Sequence, residues 1–381
     1  MTQKLYYEDA YIKEFEATVL LCERTDGGYE ILLDRTAFFP NEGGQYADSG
    51  FIGEAPVKDV RERKGIIYHY AQKEVEVGSR VRCRIDFEER FDKMQQHTAE
   101  HILSGIIHRL YGLDNVGFHL GPDEVTMDVS APLTDEQLDR VEREANEAVY
   151  KNLSVSASFP SAKELVTLEY RSKLELTEDV RIVTVDGVDA CACCAPHVAS
   201  TGEIGLIKIL RRESLRGGIR LWIAAGKRAY ADYVKKSEQT DKISTMLSAP
   251  VNEVSAAVSA LNDSVYRLKA DIKRLEDSLV RNIQESFDTT DRNALMYLPD
   301  LSTDALRTLS KLLISRVGGI LVLLTGARRD YKYVIASEKV DLREAAKDFN
   351  KALLGKGGGR SEMVQGSFGA TLEQIKEYFR A

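Results

Sequence analysis

Nine apolar residues, Val251, Val254, Val258, Leu261, Val265, Leu268, Ile272, Leu275 and Leu279, follow one another at alternating steps of three and four. Such steps fall on one face of an α-helix, and their mean is the period of a coiled-coil seam. The stretch therefore predicts one long helix, sustained over roughly four heptads, with Pro250 near its start, where a missing N–H costs little. A seam of this kind must be covered. A second chain would serve, and so would an antiparallel helix, for which residues 231–247 are the candidate.

The pattern before the seam is different. Residues 1–90 read as β-rich: EATVLL, YEILLD and VRCRID have strand composition, and turns are marked at Asp26-Gly27-Gly28 and Asn41-Glu42-Gly43-Gly44. From about Phe91 the period becomes helical, with Ile102, Ile106 and Leu110 on one face and Gly112 as the stop. A second helix is expected over 134–151, where Leu138, Val141, Ala145 and Val149 recur. VRIVTV, EIGLIKIL and IRLWIAAG read as strands, so residues 91–230 predict an α/β or α+β domain. After the seam, residues 291–381 predict a compact terminal domain of alternating helices and strands. Its Gly-rich stretch GKGGGRSEMVQGSFG lacks the Lys-Ser/Thr pair of a phosphate-binding P-loop, which leaves close backbone approach at a turn as the other reading.

Composition excludes several classes. No charged-then-apolar leader with a small-residue cleavage site opens the chain, and the apolar run around Ile320 to Leu324 is too short to span a bilayer, so the cytoplasm is the expected compartment. Five cysteines, three of them crowded together, argue against a disulfide framework. The net charge of -8 does not advertise a nucleic-acid binder. Even so, Lys208, Arg211, Arg212, Arg216, Arg220, Lys227 and Arg228 face a single acid, Glu213, over a short span, and a local basic stripe can hold phosphates on an acidic protein.

Two short motifs carry the chemistry. His97 and His101 in HTAEH stand four apart on a predicted helix, so both rings leave the same face. A zinc protease would place Glu directly after the first His, where this chain has Thr98. In CACCAPH, Cys193 and His197 are also four apart. Together they make one thiolate and three imidazoles, a donor set that favours zinc over magnesium or calcium. Spacing alone leaves Cys191 and Cys194 as alternatives to Cys193.

QQHTAEHILSG, then CxxxH, then ASTGEIGLIKIL resembles the editing domain of alanyl-tRNA synthetase and its free-standing relatives, the AlaX proteins. TAFFPNEGGQYADSG is similar to the family's N-terminal glycine motif, FHLG at 118–121 has a counterpart, and RRESLRGGIRLWIAAGKRA resembles the segment closing the editing domain. GKGGGRSEMVQGSFG is similar to the DHH-associated C-terminal domain of the long AlaX class. One departure stands out: the family's CGGTH is CCAPH here, which keeps the ligand spacing but replaces flexible glycines and a threonine.

The resemblance implies an α+β fold in four parts: a β-barrel-like domain (1–90), a zinc-containing α/β editing domain (91–230), a helical coiled-coil arm (231–290) and a small α/β C-terminal domain (291–381). It implies one zinc ion per chain on His97, His101, Cys193 and His197. The implied activity is hydrolysis of the ester joining serine, and also glycine, to tRNA(Ala), a second sieve for a substrate that binding alone discriminates poorly. Thr36, Gln96 and His119 are then the catalytic candidates. Gly43, Gly44 and Gln45 would admit the terminal adenosine, and Arg211, Arg212, Arg216 and Arg220 would meet phosphates. A length of 381 residues is expected to leave no room for an aminoacylation domain. Two rivals remain, a tRNA-binding module with structural zinc and a deacylase for another aminoacyl-tRNA such as Ser-tRNA(Thr). The seam favours a homodimer.

Overall fold

The computed structural model describes residues 2–172 and 180–380; residues 173–179, inside the expected 91–230 segment, lie outside the described residues. The chain is a mixed α+β protein with several separate sheets. It divides into two compact units, Met1–Thr240 and Asp241–Ala381.

The first unit begins with β1 (Gln3–Lys4), β2 (Glu14–Thr25), β3 (Gly28–Leu33), β4 (Arg35–Thr36), β5 (Gly50–Ile52), β6 (Ala55–Arg63), β7 (Ile66–Ala71) and β8 (Arg80–Ile85). The order β2-β3-β7-β6-β5-β8 returns on itself, because β8 pairs with β2 and sets Arg84 opposite Glu14; the result is a closed barrel without free edges. Alternation supplies its core. In β7 the inward residues are Ile67, His69 and Ala71, and in β8 they are Cys83 and Ile85.

His69 is the polar exception in that interior. Its Nδ1 lies 3.1 Å from the Ile31 carbonyl, so Nδ1 carries the proton and Nε2 accepts from the Thr36 hydroxyl, 2.8 Å away. Burial lowers its pKa to about 4. Between pH 6.5 and 4 the unfolded chain therefore takes up a proton that the folded chain refuses, and stability falls as pH falls through that window. The expected loss is about 3 kcal/mol. Urea unfolding of the wild type and of His69→Gln at pH 7 and pH 4 should show this extra loss in the wild type alone.

A single helix then organises the unit. Asp86 caps α1 (Phe87–Tyr111) by accepting from the Glu89 N–H, and Gly112 ends it at φ +65°. The helix starts four residues earlier than its apolar period suggests, because the Asp86 cap and the acidic first turn set its beginning. From Met94 to Ile107 every residue is buried, as expected of a helix enclosed on all sides. Around it lie β9 (Asn115–Leu120), β10 (Val125–Val129), α2 (Asp135–Tyr150), β11 (Val155–Ser158), α3 (Ala162–Leu165), β12 (Ile182–Val185), β13 (Asp189–Ala192), β14 (Ile207–Leu215) and β15 (Gly218–Ala225). One sheet runs β14-β15-β10-β9 and a smaller one β11-β12-β13. Thr134 and Gln137 form a capping box on α2. The EIGLIKIL segment is only half strand, since Thr201–Ile204 is a 3-10 turn. α4 (Gly226–Leu247) follows directly on β15.

The second unit holds α5 (Val254–Ser286), β16 (Ala294–Tyr297), α6 (Thr303–Leu313), β17 (Leu321–Ala327), β18 (Asp330–Ala336), α7 (Leu342–Ala352), β19 (Lys356–Gly359), β20 (Met363–Phe368) and α8 (Leu372–Phe379). Its sheet runs β16-β17-β18-β20-β19. The Gly-rich segment is thus a β-hairpin, not a loop. A Cβ at Gly357 would sit 2.3 Å from the Tyr333 hydroxyl, so this backbone must be bare to pass the ring. On α5 the heptad residues Leu261, Leu268, Ile272 and Leu275 each expose more than half their surface, and only Val280 of the helix is buried. Among the described residues no helix is long and apolar enough to cross a membrane.

Candidate metal centre

His97 and His101 leave one face of α1, and the loop after β13 brings Cys193 and His197 to meet them. All four ligand atoms lie within 4.8 Å of one another. Cys193 Sγ is 3.6 Å from His97 Nε2 and 3.3 Å from His197 Nε2. A tetrahedral zinc ion, with bonds of about 2.3 Å to sulfur and about 2.0 Å to nitrogen, has S···N edges of about 3.5 Å. Both measured edges match that ion, and the other ligand atoms stand within 4.8 Å.

The outer partners of the rings strengthen the fit. His97 Nδ1 donates to Gln45 Oε1 at 2.9 Å. Thr98 Oγ1 gives its own proton to the Met94 carbonyl, so it accepts from His197 Nδ1 at 3.0 Å. His101 Nδ1 lies 3.3 Å from Asp189 Oδ2, at ion-pair distance though not aligned as a hydrogen bond. Arg171 grips both oxygens of Asp189, at 2.7 and 2.8 Å. His97 and His197 thus each have an acceptor at Nδ1, which keeps the proton there and turns the Nε2 lone pair inward, while Asp189 stands beside His101 Nδ1 at ion-pair distance.

Electrostatics single out one thiol. Against the cost of burial, the rings of His97 and His197 hold Cys193 well below the usual thiol range. Burial pushes Cys194 up, aided by the charge of Cys193, and burial likewise raises Cys191. Burial also lowers His197 to about 3, so its ring is neutral and able to donate a lone pair. Burial opposes charge on His101 as well, but Asp189 and Cys193 raise it well above its usual value. His101, Asp189 and Cys191 form a second close group, but Arg171 already supplies its positive charge.

The glycine motif reaches this centre from the barrel side. Gly44, at φ +80°, lies so close to β9 that a Cβ would be 2.4 Å from the Phe118 carbonyl. Its own carbonyl accepts from the Leu120 N–H at 2.7 Å, and this delivers the Gln45 side chain to His97. Gln45 is fully buried and its Nε2 has no hydrogen-bond partner among the described residues. Gln45→Glu keeps an oxygen for His97, whereas Gln45→Ala removes it. Metal affinity, read by competition with a chelator, should stay near wild type in the first and fall about 10- to 100-fold in the second.

Beneath the motif, Asp48 is clamped between Arg90 and Lys93, all three fully buried or nearly so. Arg90 also donates to the carbonyls of Ala10 and Ala37, and Lys93 to that of Ala47. Burial opposes the charge on Asp48, but the two cations hold its carboxyl below the usual range.

Other expected site residues are not gathered here. Gln96 bonds the Ala225 backbone through both ends of its amide, each at 2.8 Å, and so clamps α1 to β15. His119 is exposed. Phe118 beside it packs against His97 with ring centroids 4.8 Å apart, and strand alternation turns His119 to the opposite face. Arg212 pairs with Asp135 and Arg220 with Asp128. Arg211 stacks on Trp222 at 3.7 Å, and Arg216 lies exposed in the turn between β14 and β15. Sequence reasoning missed His69, Asp189, Arg171 and Phe118. Of these only Phe118 stood in a motif.

Residues 180–221 match the family described as Threonyl and Alanyl tRNA synthetase second additional domain, and residues 4–89 match tRNA synthetases class II (A). The chain is 31% identical to Alanyl-tRNA editing protein Aarsd1-A of Xenopus laevis, over 76% of this chain and 75% of that one. It is 28% identical to Alanyl-tRNA editing protein AlaX-L of Pyrococcus horikoshii, over 98% of this chain and 96% of the relative. It is also 30% identical to Alanine--tRNA ligase of Pyrococcus abyssi, where 96% of this chain covers only 42% of the ligase.

Proposed function

The chain belongs to the family of alanyl-tRNA editing proteins, and from that premise we propose that it is a deacylase for tRNA(Ala) carrying the wrong amino acid, serine above all and also glycine. The observation that carries this reading is the convergence of three imidazole rings and one thiolate within 4.8 Å of one another. His97, His101, Cys193 and His197 would hold zinc, one ion per chain. When bound by four protein ligands, zinc would orient the substrate, and it would supply Lewis-acid stabilisation of the ester carbonyl oxygen on taking a fifth ligand or releasing one of the four.

Hydrolysis adds water across the acyl C–O bond, and the terminal ribose hydroxyl leaves with a proton. Thr36 is the residue that reads the amino acid. Its hydroxyl proton is committed to His69 and its oxygen already accepts from the Phe38 N–H at 3.1 Å, so what remains is one acceptor lone pair. A serine hydroxyl can donate to it and the methyl of alanine cannot; glycine, which has no hydroxyl, would lack this contact and be the weaker substrate. Gln96 and His119 take no part in this scheme, because the first is spent on Ala225 and the second faces away. Gly43 and Gly44 would let the substrate backbone approach, and Arg211 and Arg216 are the remaining candidates for phosphate contact. The four-part division at 90, 230 and 290 stays part of this proposal, as does the cytoplasm, where aminoacyl-tRNA is made.

The exposed seam of α5 supports a homodimer through that helix. Light scattering of the full chain should give twice the chain mass, and Leu268→Glu with Leu275→Glu should return the mass of one chain. For the reaction, removal of metal by a chelator should abolish release of serine from Ser-tRNA(Ala), and added zinc should restore it. Equal turnover with and without metal would reduce the centre to a structural site. Faster turnover on Ser-tRNA(Thr) would move the substrate to the other tRNA.

A further inference from the structure

Tyr7 ends the short 3-10 turn Leu5–Tyr7, and its ring meets that of Phe159 edge-on, with centroids 5.5 Å apart at 72°. Phe159 directly follows β11 and exposes 53% of its surface. On the inner side, the Arg181 guanidinium stands 5.3 Å from the Tyr7 ring centroid. Through Nη1, Arg181 donates to the carbonyls of Cys193 and Ala195, both at 2.9 Å. Its own carbonyl accepts from the Cys193 N–H at 3.0 Å. The Lys4 ammonium approaches the same tyrosine ring at 5.5 Å, with its charge paired to Glu62 at 2.8 Å. An exposed phenylalanine, seated on Tyr7 and backed by the buried Arg181, is thus tied through that arginine's hydrogen bonds to the loop that carries the metal-binding thiolate.

A single exposed phenylalanine is ordinary and asks for no explanation. This one differs in its surroundings. Its ring meets Tyr7 edge-on, about half of its surface is open to solvent, and the buried Arg181 guanidinium backs the tyrosine ring. Exposed aromatic rings held in place by a neighbouring ring suit the bases of a single strand. The covalent structure of the substrate adds a stronger constraint. The ester to be cleaved sits on the terminal ribose, so the base on that same ribose must come within one nucleoside of Cys193.

We propose that Phe159, backed by Tyr7 and Arg181, is the stacking platform for the unpaired 3′-terminal base of the tRNA. The inference rests on the deacylase reading for its substrate. Stacking uses the face of the base and not its edges, so the platform takes any base and adds affinity without sequence preference.

The test compares two serine esters on the full-length chain, one of adenosine and one of a ribose that carries no base. Phe159→Ala should lower kcat/KM for the adenosine ester about 5- to 150-fold and leave the base-free ester unchanged. Phe159→Trp should restore the adenosine ester. Equal slowing of both esters, or of neither, overturns the proposal. A second measurement does not depend on hydrolysis: uncharged tRNA(Ala) with 2-aminopurine at its 3′ end should be quenched by the wild type and not by Phe159→Ala. If the wild type hydrolyses no ester but quenching requires Phe159, the deacylase reading fails and the platform stands. If hydrolysis proceeds and both chains quench alike, the platform fails and the deacylase reading stands.

Discussion

Cys193→Ser should carry no metal and hydrolyse mischarged tRNA more than about a hundredfold more slowly than the wild type. The reason is specific to this thiol. It is the one of the three neighbouring cysteines that the imidazoles hold as a thiolate, and its sulfur already stands at metal-edge distances from two ring nitrogens. A serine hydroxyl at the same place keeps its proton and offers a poor ligand. Cys191→Ser and Cys194→Ser should each retain one zinc per chain, because burial keeps both thiols protonated. Metal analysis on the three purified variants checks this. A metal-free Cys194→Ser beside a loaded Cys193→Ser would exchange the two cysteines.

Asp48→Asn should produce the largest loss of stability of any single surface-neutral change, about 3 to 5 kcal/mol. The substitution barely alters shape. It leaves Arg90 and Lys93 buried with no carboxylate between them, while Lys93 keeps only the more exposed Glu89 as an anionic partner. Chemical denaturation should show the midpoint falling with little change in slope. Because Asp48 lies three residues after Gln45 and Lys93 one turn before His97, the same variant should also loosen the metal centre. A double change of Asp48 and Arg90 to apolar residues of similar size should recover part of the loss, since the penalty comes from the unpaired charge.

The two halves of the metal centre were legible in the sequence because a four-residue step has a definite meaning on a helix and in a tight loop. What spacing could not decide was which of Cys191, Cys193 and Cys194 takes part. That depends on local charge, which exists only after residues about 100 positions apart have come together. The outer partners were illegible for the same reason: Gln45 reaches His97 across 52 positions, and Asp189 reaches His101 only when β13 lies beside α1. Gln96 and His119 stand in motifs, but their roles turn on direction. Gln96 leaves α1 toward β15, and His119 leaves β9 on the side away from Phe118. Among the arginines, Arg212 and Arg220 were read as a stripe of free charge, yet Asp135 and Asp128 were waiting on neighbouring elements.

The same division holds for the fold. Strand composition and turn signals marked the strands around Ile31 and Cys83, but closure of the barrel depends on pairing Glu14 with Arg84, for which no local pattern exists. The seam from Val251 to Leu279 announced its helix plainly, and the exposure of that seam is a property of what is absent from one face. The Gly-rich stretch after Leu354 invited a loop, and it became a hairpin because Tyr333 lies directly against Gly357 and Gly366.

The most direct test is the release of amino acid from two forms of one tRNA by the metal-loaded full-length chain. Ser-tRNA(Ala) should be hydrolysed well above the buffer rate, and correctly charged Ala-tRNA(Ala) should survive unchanged over the same time course. Equal loss of both, or loss of neither, would contradict an editing function.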